Sequence, residues 1–368
     1  MVLLTSLFLI FLSTLHLEKT HSHSLEQKEL RRPRIIQAAE KLNATVSPLT
    51  KHVSFPTVKP DVSVSVSSGL TQAISKNKAY WNRLLYSTLR QVNRKELEHH
   101  HLWSHCREVN QELLKTNIHD FASYPYMFQD FLMAMNCKSP PLLVNQPDKC
   151  LNSDRGGQTF LLFAIKSRPG NFEQRHSVRE TWGREEVFQN NLRVRTLFLL
   201  GSPSSDDPDL GALFGDDDVF VNTPALLSYL QSLEPSKATQ LFVGHVISTA
   251  APLRDPKSKY YIPLSFYDGT YPPYIGGGGF AVSGSLLQRL HSISRVIPFF
   301  PIDDVYIAMC LKALGISPEA HSGFQTFDVS EQDRQNLCVH KGLILIHQRS
   351  PRELKKLWRG IHSPLLTC

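Results

Sequence analysis

The chain has 368 residues, 41% of them hydrophobic and 20% charged, enough apolar material for one large core or two modest ones; this excludes a mainly disordered protein. Its 40 basic against 33 acidic residues give +7, spread along the chain and not gathered in a tail, which suits anionic small ligands and nucleic acid alike. No zinc-finger spacing, basic-leucine pattern or ribonucleoprotein motif accompanies the charge, so nucleic acid is set aside as a partner.

Residues 1–20 read as a signal-anchor or a signal peptide, because Val2 to Leu17 is apolar apart from a few Thr, Ser and His residues. As a helix this run covers roughly 24 Å, slightly short of a hydrocarbon core of about 30 Å, so both fates stay open. Residues 21–75 are polar and rich in Ser, Val, Lys and Pro, and read as a stem tethering a lumenal region. The sequon at Asn43 and six cysteines, at 106, 137, 150, 310, 338 and 368, agree with delivery into the secretory pathway. They contain no Cys-x-x-Cys pair, which favours disulfides or buried thiols over a zinc site. His99, His100, His101 and His105 beside Cys106 read as a polar helix face.

Residues 76–155 form a helical preface, with apolar residues at helical spacing from Tyr126 to Met135, and the main domain spans 156–368. Thr159 to Ser167 and Val194 to Gly201 read as strands flanking a helical segment, a unit that implies parallel pairing; the apolar continuity of the first predicts a sheet covered on both faces. Further strand patterns at 241–247 and 343–346 place the chain in the α/β class.

Four segments carry chemistry. Arg175 and Arg179 stand four apart, on one helical face suited to clamping phosphate. Asp216, Asp217 and Asp218 precede an apolar strand and an Asn222-Thr223-Pro224 helix start; adjacent carboxylates repel unless a cation or donors neutralise them, so the run fits a hard metal or else a solvated loop. Tyr271 to Phe280 combines a stiff aromatic turn with four glycines, a loop that lets backbone approach a ligand beside sugar-stacking rings. Asp303 and Asp304 open a helix ending at Gly315, as caps or as a base.

Together these motifs, Arg-x-x-x-Arg-x-Thr-Trp-Gly, Gly-Asp-Asp-Asp-Val-Phe-Val-Asn, Tyr-Pro-Pro-Tyr-x-Gly-Gly-Gly-Gly-Phe and Pro-Ile-Asp-Asp-Val-Tyr, resemble the β-1,3-glycosyltransferases with a galactosyltransferase-type domain. The nearest likeness is to the poly-N-acetyllactosamine-forming β-1,3-N-acetylglucosaminyltransferases, from about Tyr80 to Cys368. The resemblance implies a GT-A fold, a Rossmann-like mixed sheet flanked by helices, with UDP-N-acetylglucosamine as donor, Mn²⁺ as cofactor and inverting transfer to a galactose 3-hydroxyl. It implies a metal held by Asp218, Asp216 and His347, and a nucleotide-sugar site of Lys166, Arg175, Arg179, Asp216, Asp217, Gly277 and Gly278. Acceptor contacts fall to Tyr274 and Asp303, and the catalytic base to Asp304. It also implies a single-pass type II Golgi membrane protein, pairing with itself or with related transferases.

Two departures stand out. Where relatives carry a further helix and strand, Phe214 runs straight into Gly215, and His245 replaces an Asp. An active N-acetylglucosaminyltransferase, an impaired form that only binds UDP-sugar or a partner, and a galactosyl donor all stay open at this stage.

Overall fold

In the computed structural model, which describes residues 65–93, 111–135, 137, 144, 146, 149, 159–200 and 216–368, the chain is a mixed α/β protein. The apolar run at 2–17, Asn43, the histidines at 99–105 with Cys106, Cys150 and the junction at Phe214 and Gly215 lie outside the described residues. Among the described residues no helix is long and apolar enough to cross a membrane.

Ser67 accepts a hydrogen bond from Gly69 N–H and opens α1 (Ser68–Ala73). There follow α2 (Tyr80–Asn93), α3 (Tyr126–Ala134), β1 (Thr159–Ser167), α4 (Phe172–Glu180), β2 (Val187–Phe188), β3 (Leu192–Leu200), β4 (Phe220–Val221), α5 (Thr223–Gln231) and β5 (Phe242–Ile247). The C-terminal half adds β6 (Tyr274–Val282), α6 (Gly284–Ser294), α7 (Asp303–Ala313), β7 (Glu319–Ala320), β8 (Phe324–Gln325), α8 (Leu337–Lys341), β9 (Leu345–Ile346) and α9 (Pro351–Ile361).

The folded unit starts earlier than composition suggested. Leu70 and Ile74 are buried, and Ser67 N–H donates to Ala313 O at 2.7 Å, tying α1 to the end of α7. The stretch read as stem thus ends in a capping serine and two core aliphatics. Trp81 of α2 anchors the same core: its ring meets Tyr267 and Phe300 edge-on at 5.6 and 5.5 Å, and Nε1–H reaches Phe299 O at 3.0 Å.

Three small sheets follow, ordered β1-β3-β2, β4-β9-β8 and β6-β5-β7. β1 and β3 pair in parallel around α4, as the strand, helix, strand pattern required. Double coverage of β1 is not observed. Phe163 packs edge-on against Trp182 at 5.1 Å on the covered face, whereas Phe160 and Leu162 on the other face are 44% and 38% exposed. Among the described residues β1 is an edge strand with no ladder to β4.

The glycine run is strand, not loop. Gly276 to Gly279 lie within β6, yet they bulge from its ladder with β5, which resumes only at Gly244↔Phe280 and Val246↔Ile275. The bulge carries them across the ends of β8 and β9, where a Cβ on Gly276 would meet Thr326 Cγ2 at 2.7 Å. Cys338 and Cys368 form a disulfide, Cys137 is also disulfide-bonded, and Cys310 is a buried thiol within α7.

Candidate active site

The site is assembled by strand pairing. β4 and β9 run antiparallel, Phe220 opposite Ile346 and Val221 opposite Leu345, so the residues just before β4 lie beside those just after β9. This sets His347 Nε2 at 3.3 Å from Asp218 Oδ1 and 3.5 Å from Asp216 Oδ2. Asn222 holds the far end of β4 by capping α5, accepting from Ala225 N–H at 3.4 Å. One ligand atom from each of Asp216, Asp218 and His347 lies within 4.8 Å of the other two. Asp218 Oδ1 is buried with no hydrogen-bond donor aligned on it, an oxygen left over for a cation. Two carboxylates and an imidazole form an O,O,N set compatible with a Mn²⁺-class ion.

The acids of α7 come from the opposite side. Ile302 is the N-cap and makes no side-chain capping bond; Asp303 and Asp304 sit in the first turn, where the helix dipole favours negative charge. Neither acid caps the helix. Asp303 pairs with Lys166 at the end of β1, and Asp304 Oδ2 faces Gly277. A Cβ on Gly277 would fall 2.9 Å from Asp304 Oδ2 and 3.6 Å from Asp216 Oδ2, and one on Gly278 would fall 3.0 Å from His347 Cβ. The glycines therefore let two acids and the imidazole close over one stretch of backbone. Gly277→Ala is expected to displace Asp304 and lower kcat at least tenfold, with a thermal melt near that of the parent; kinetics and calorimetry on the purified variant check this.

Burial raises the Asp304 carboxyl to about 7, with the neighbouring Asp303 charge adding to it, while Lys166 and His347 oppose. Burial likewise lifts Asp216 to about 6, against the pull of His347. Burial would lower the His347 imidazole, but contact with Asp218 and the charges of Asp216 and Asp218 prevail and raise it. Groups shifted in this way are what a site handling protons and cations contains.

Other residues picked out in the sequence separate from this cluster. Asp217 is buried and turned away, both oxygens engaged: Ser167 Oγ donates at 2.5 Å and Asn171 Nδ2 at 3.1 Å. Arg175 is 5% exposed and spends its guanidinium on Ser167 Oγ at 2.8 Å, Arg168 O and Pro169 O at 2.7 Å, so it braces the β1–α4 loop and is not an open phosphate clamp. Arg179 is exposed and lies over the Phe198 ring at 4.5 Å. Arg175 and Arg179 thus diverge although they share a helical face, one drawn into the β1–α4 loop and the other reaching out over Phe198. Tyr274 packs edge-on to Tyr271 at 6.2 Å; burial raises its phenol, and the Asp304 charge adds to this, which puts the two within electrostatic reach. His245, opposite the bulge, lies edge-on to Phe327 at 5.2 Å with Nδ1 3.3 Å from Phe324 O.

Residues 212–322, which take in Asp216, Gly277 and Asp304, match the family described as Galactosyltransferase. N-acetyllactosaminide beta-1,3-N-acetylglucosaminyltransferase 2 of Mus musculus is 41% identical over 300 residues, covering 69% of this chain and 74% of the relative. Its Homo sapiens counterpart is 38% identical over 348 residues, covering 79% and 86%. The chain belongs to the β-1,3-N-acetylglucosaminyltransferases of the galactosyltransferase family. This transferase is also 32% identical to UDP-GlcNAc:betaGal beta-1,3-N-acetylglucosaminyltransferase 8 of Homo sapiens over 364 residues, covering 84% and 87%. Each alignment is longer than the stretch of the transferase it spans: 300 positions against 69% of 368 residues in the first case. The relatives therefore contribute aligned residues with no counterpart here.

Sequence reasoning missed the residues that hold the transferase's site from behind. Ser167 and Asn171 fasten Asp217, and Arg349 N–H donates to Asp218 O at 2.7 Å. Ser167 and Asn171 lacked any motif of their own; only their closeness to Asp217 in the fold marks them.

Proposed function

We propose that the transferase moves N-acetylglucosamine from UDP-N-acetylglucosamine to the 3-hydroxyl of a terminal galactose, with inversion, on a GT-A-type arrangement of its sheets. Asp216, Asp218 and His347 would hold Mn²⁺. The observation that carries this reading is the convergence of that ligand set and Asp304 on two adjacent glycines, with Asp304 and Asp216 at Gly277 and His347 at Gly278. Donor and acceptor follow the words in the relatives' names, UDP-GlcNAc and betaGal.

When bound, the cation supplies positive charge against the diphosphate leaving group. The work of the chain's own residues is separable from it. Asp304 takes the proton of the acceptor hydroxyl as its oxygen bonds to the sugar C1 and the bond from C1 to the UDP oxygen breaks, so inversion and proton balance are met together. Gly277 and Gly278 keep the floor of the site free of side chains. Lys166 holds Asp303 in place and adds positive charge beside Asp216 and Asp304. Asp217 and Arg175 fix the loop that carries Asn171, and Tyr274 supplies an aromatic edge for the acceptor sugar. Arg179 remains the exposed cation of the group, available to a diphosphate. The Cys338–Cys368 disulfide supports an oxidising compartment, in line with a Golgi protein anchored through residues 1–20.

The test is transfer by the purified chain from UDP-N-acetylglucosamine to N-acetyllactosamine, with the linkage read by NMR and UDP-galactose as competing donor. His347→Ala is expected to lose Mn²⁺ binding in calorimetry and to lower kcat/KM by about 10²-fold or more, as for a lost site ligand. Absence of transfer with either donor and any divalent ion would sink the reading for this chain. A second reading, an impaired form that still binds UDP-sugar, is favoured by the exposed face of β1 and the aligned residues that lack counterparts. On that second reading, a helix and a strand of the relatives would be missing between Phe214 and Gly215.

A further inference from the structure

Behind His347 the chain makes a tight turn that the proposed chemistry does not use. β8 and β9 pair in parallel over only two positions, Phe324↔Leu345 and Gln325↔Ile346. Past the ladder the two chains stay together by other means. His347 N–H donates to Gln325 O at 3.1 Å, and His347 Nδ1 lies 3.1 Å from Thr326 O, which leaves Nε2 turned toward Asp216 and Asp218. Two residues further on, Arg349 Nη2 donates to Asp328 Oδ1 at 2.5 Å.

Arg349 is the hub of this turn. It is 1% exposed, and its Nη1 donates to His347 O and Gln348 O, both at 3.1 Å. Its backbone N–H reaches Asp218 O at 2.7 Å, so one residue touches both segments that present cation ligands. Asp328 also pairs with Arg334, which in turn bonds Glu353 at the start of α9 at 2.9 Å. The arrangement is poorly suited to stability alone. Arg349 Nε is buried without a partner, and both Asp328 and Gln348 adopt left-handed backbone, at φ 72° and 60°. Buried ion pairs contribute little net stability compared with apolar packing, and strained residues persist where a neighbouring geometry requires them.

We propose that Arg349, locked by Asp328, is a positioning residue that sets His347 and Asp218 as ligands for a divalent cation. This rests on the cation reading of the site given above. The planar fork of the guanidinium explains the choice of residue, since it satisfies a carboxylate and two carbonyls at once, which a lysine ammonium on a flexible stem does not.

The experiment measures Mn²⁺ affinity by calorimetry, and the rise in Tm at saturating Mn²⁺, for Arg349→Gln, Arg349→Lys, Asp328→Asn and the Asp328→Asn/Arg349→Gln pair. Leu357→Ala in α9 serves as a control that loses core packing and removes none of the hydrogen bonds or ion pairs of the turn. The expected result is a Kd for Mn²⁺ raised about 10- to 100-fold in each positioning variant, with the pair no weaker than either single change and Leu357→Ala unchanged. An unaltered Kd in folded variants whose Tm falls as in Leu357→Ala would overturn the proposal. If the arginine variants do not fold, Asp328→Asn decides, since Asn keeps the size and tolerates left-handed backbone. His347→Ala, measured in parallel, separates the two failures: a wild-type Kd that this change leaves untouched means that the cation reading itself is wrong.

Discussion

Asp304→Asn is expected to keep Mn²⁺ affinity within a fewfold of wild type while kcat falls by about 10²- to 10⁴-fold, the span covered by a lost general base. The amide keeps the size and the place over Gly277 but cannot accept a proton. The pH profile makes the test specific. Burial raises the Asp304 carboxyl to about 7 in the metal-free chain, so the wild-type kcat/KM should rise with pH through a limb at or below that value, a bound cation pulling it down, and this limb should vanish in the variant. Stability should move the other way. Asp304 is raised above its unfolded value, so its ionisation costs the folded state stability progressively as pH climbs from about 4 to about 7. Metal-free Asp304→Asn should therefore melt a few degrees above wild type at pH 8 and alongside it near pH 4. Equal melting at both values, with activity retained, would remove Asp304 from the role.

On the reading that a segment of the relatives is missing between Phe214 and Gly215, inserting there the residues of the Mus musculus relative that lack counterparts in this chain is expected to raise both stability and rate. In the chain as it stands β1 is an edge strand among the described residues, with Phe160 and Leu162 open to solvent, and Lys166 at its end pairs with Asp303 in the site. A strand and helix that cover that edge would satisfy its backbone groups at about 0.5 to 1.5 kcal/mol per hydrogen bond and remove the remaining exposure of Phe160 and Leu162, roughly 1 kcal/mol each. The grafted chain should thus melt several degrees higher, since each kcal/mol moves Tm by about 2 °C or somewhat less at this size. Its transfer rate should also exceed that of the parent at least tenfold. A graft that folds yet leaves both Tm and rate where they were would show that the β1 edge is complete without it.

The motifs made much of the site legible in advance. Asp216, Asp218, Asp304, Gly277 and Gly278 come together in one cluster, and a run of acids before a strand and a run of glycines drew attention in the sequence because both are costly unless something needs them. The helix start at Asn222 and the parallel pairing of β1 with β3 were legible for the same local reason, capping chemistry and apolar periodicity being properties of neighbouring residues, whereas the acids that open α7 do not cap it. What failed was of another kind. Arg175 and Arg179 look alike in sequence, and only the packing of α4 against the end of β1 buries one and leaves the other on Phe198. Gly276 to Gly279 promised a loop, since nothing local shows that their strand must cross β8 and β9 without side chains. By itself, then, the sequence determined the family, the acids and the elements with strong local signals. The tertiary structure alone decided which acids face each other, because the antiparallel pairing of β4 with β9 joins residues more than a hundred positions apart, and it alone placed Arg349 and Asp328 behind them.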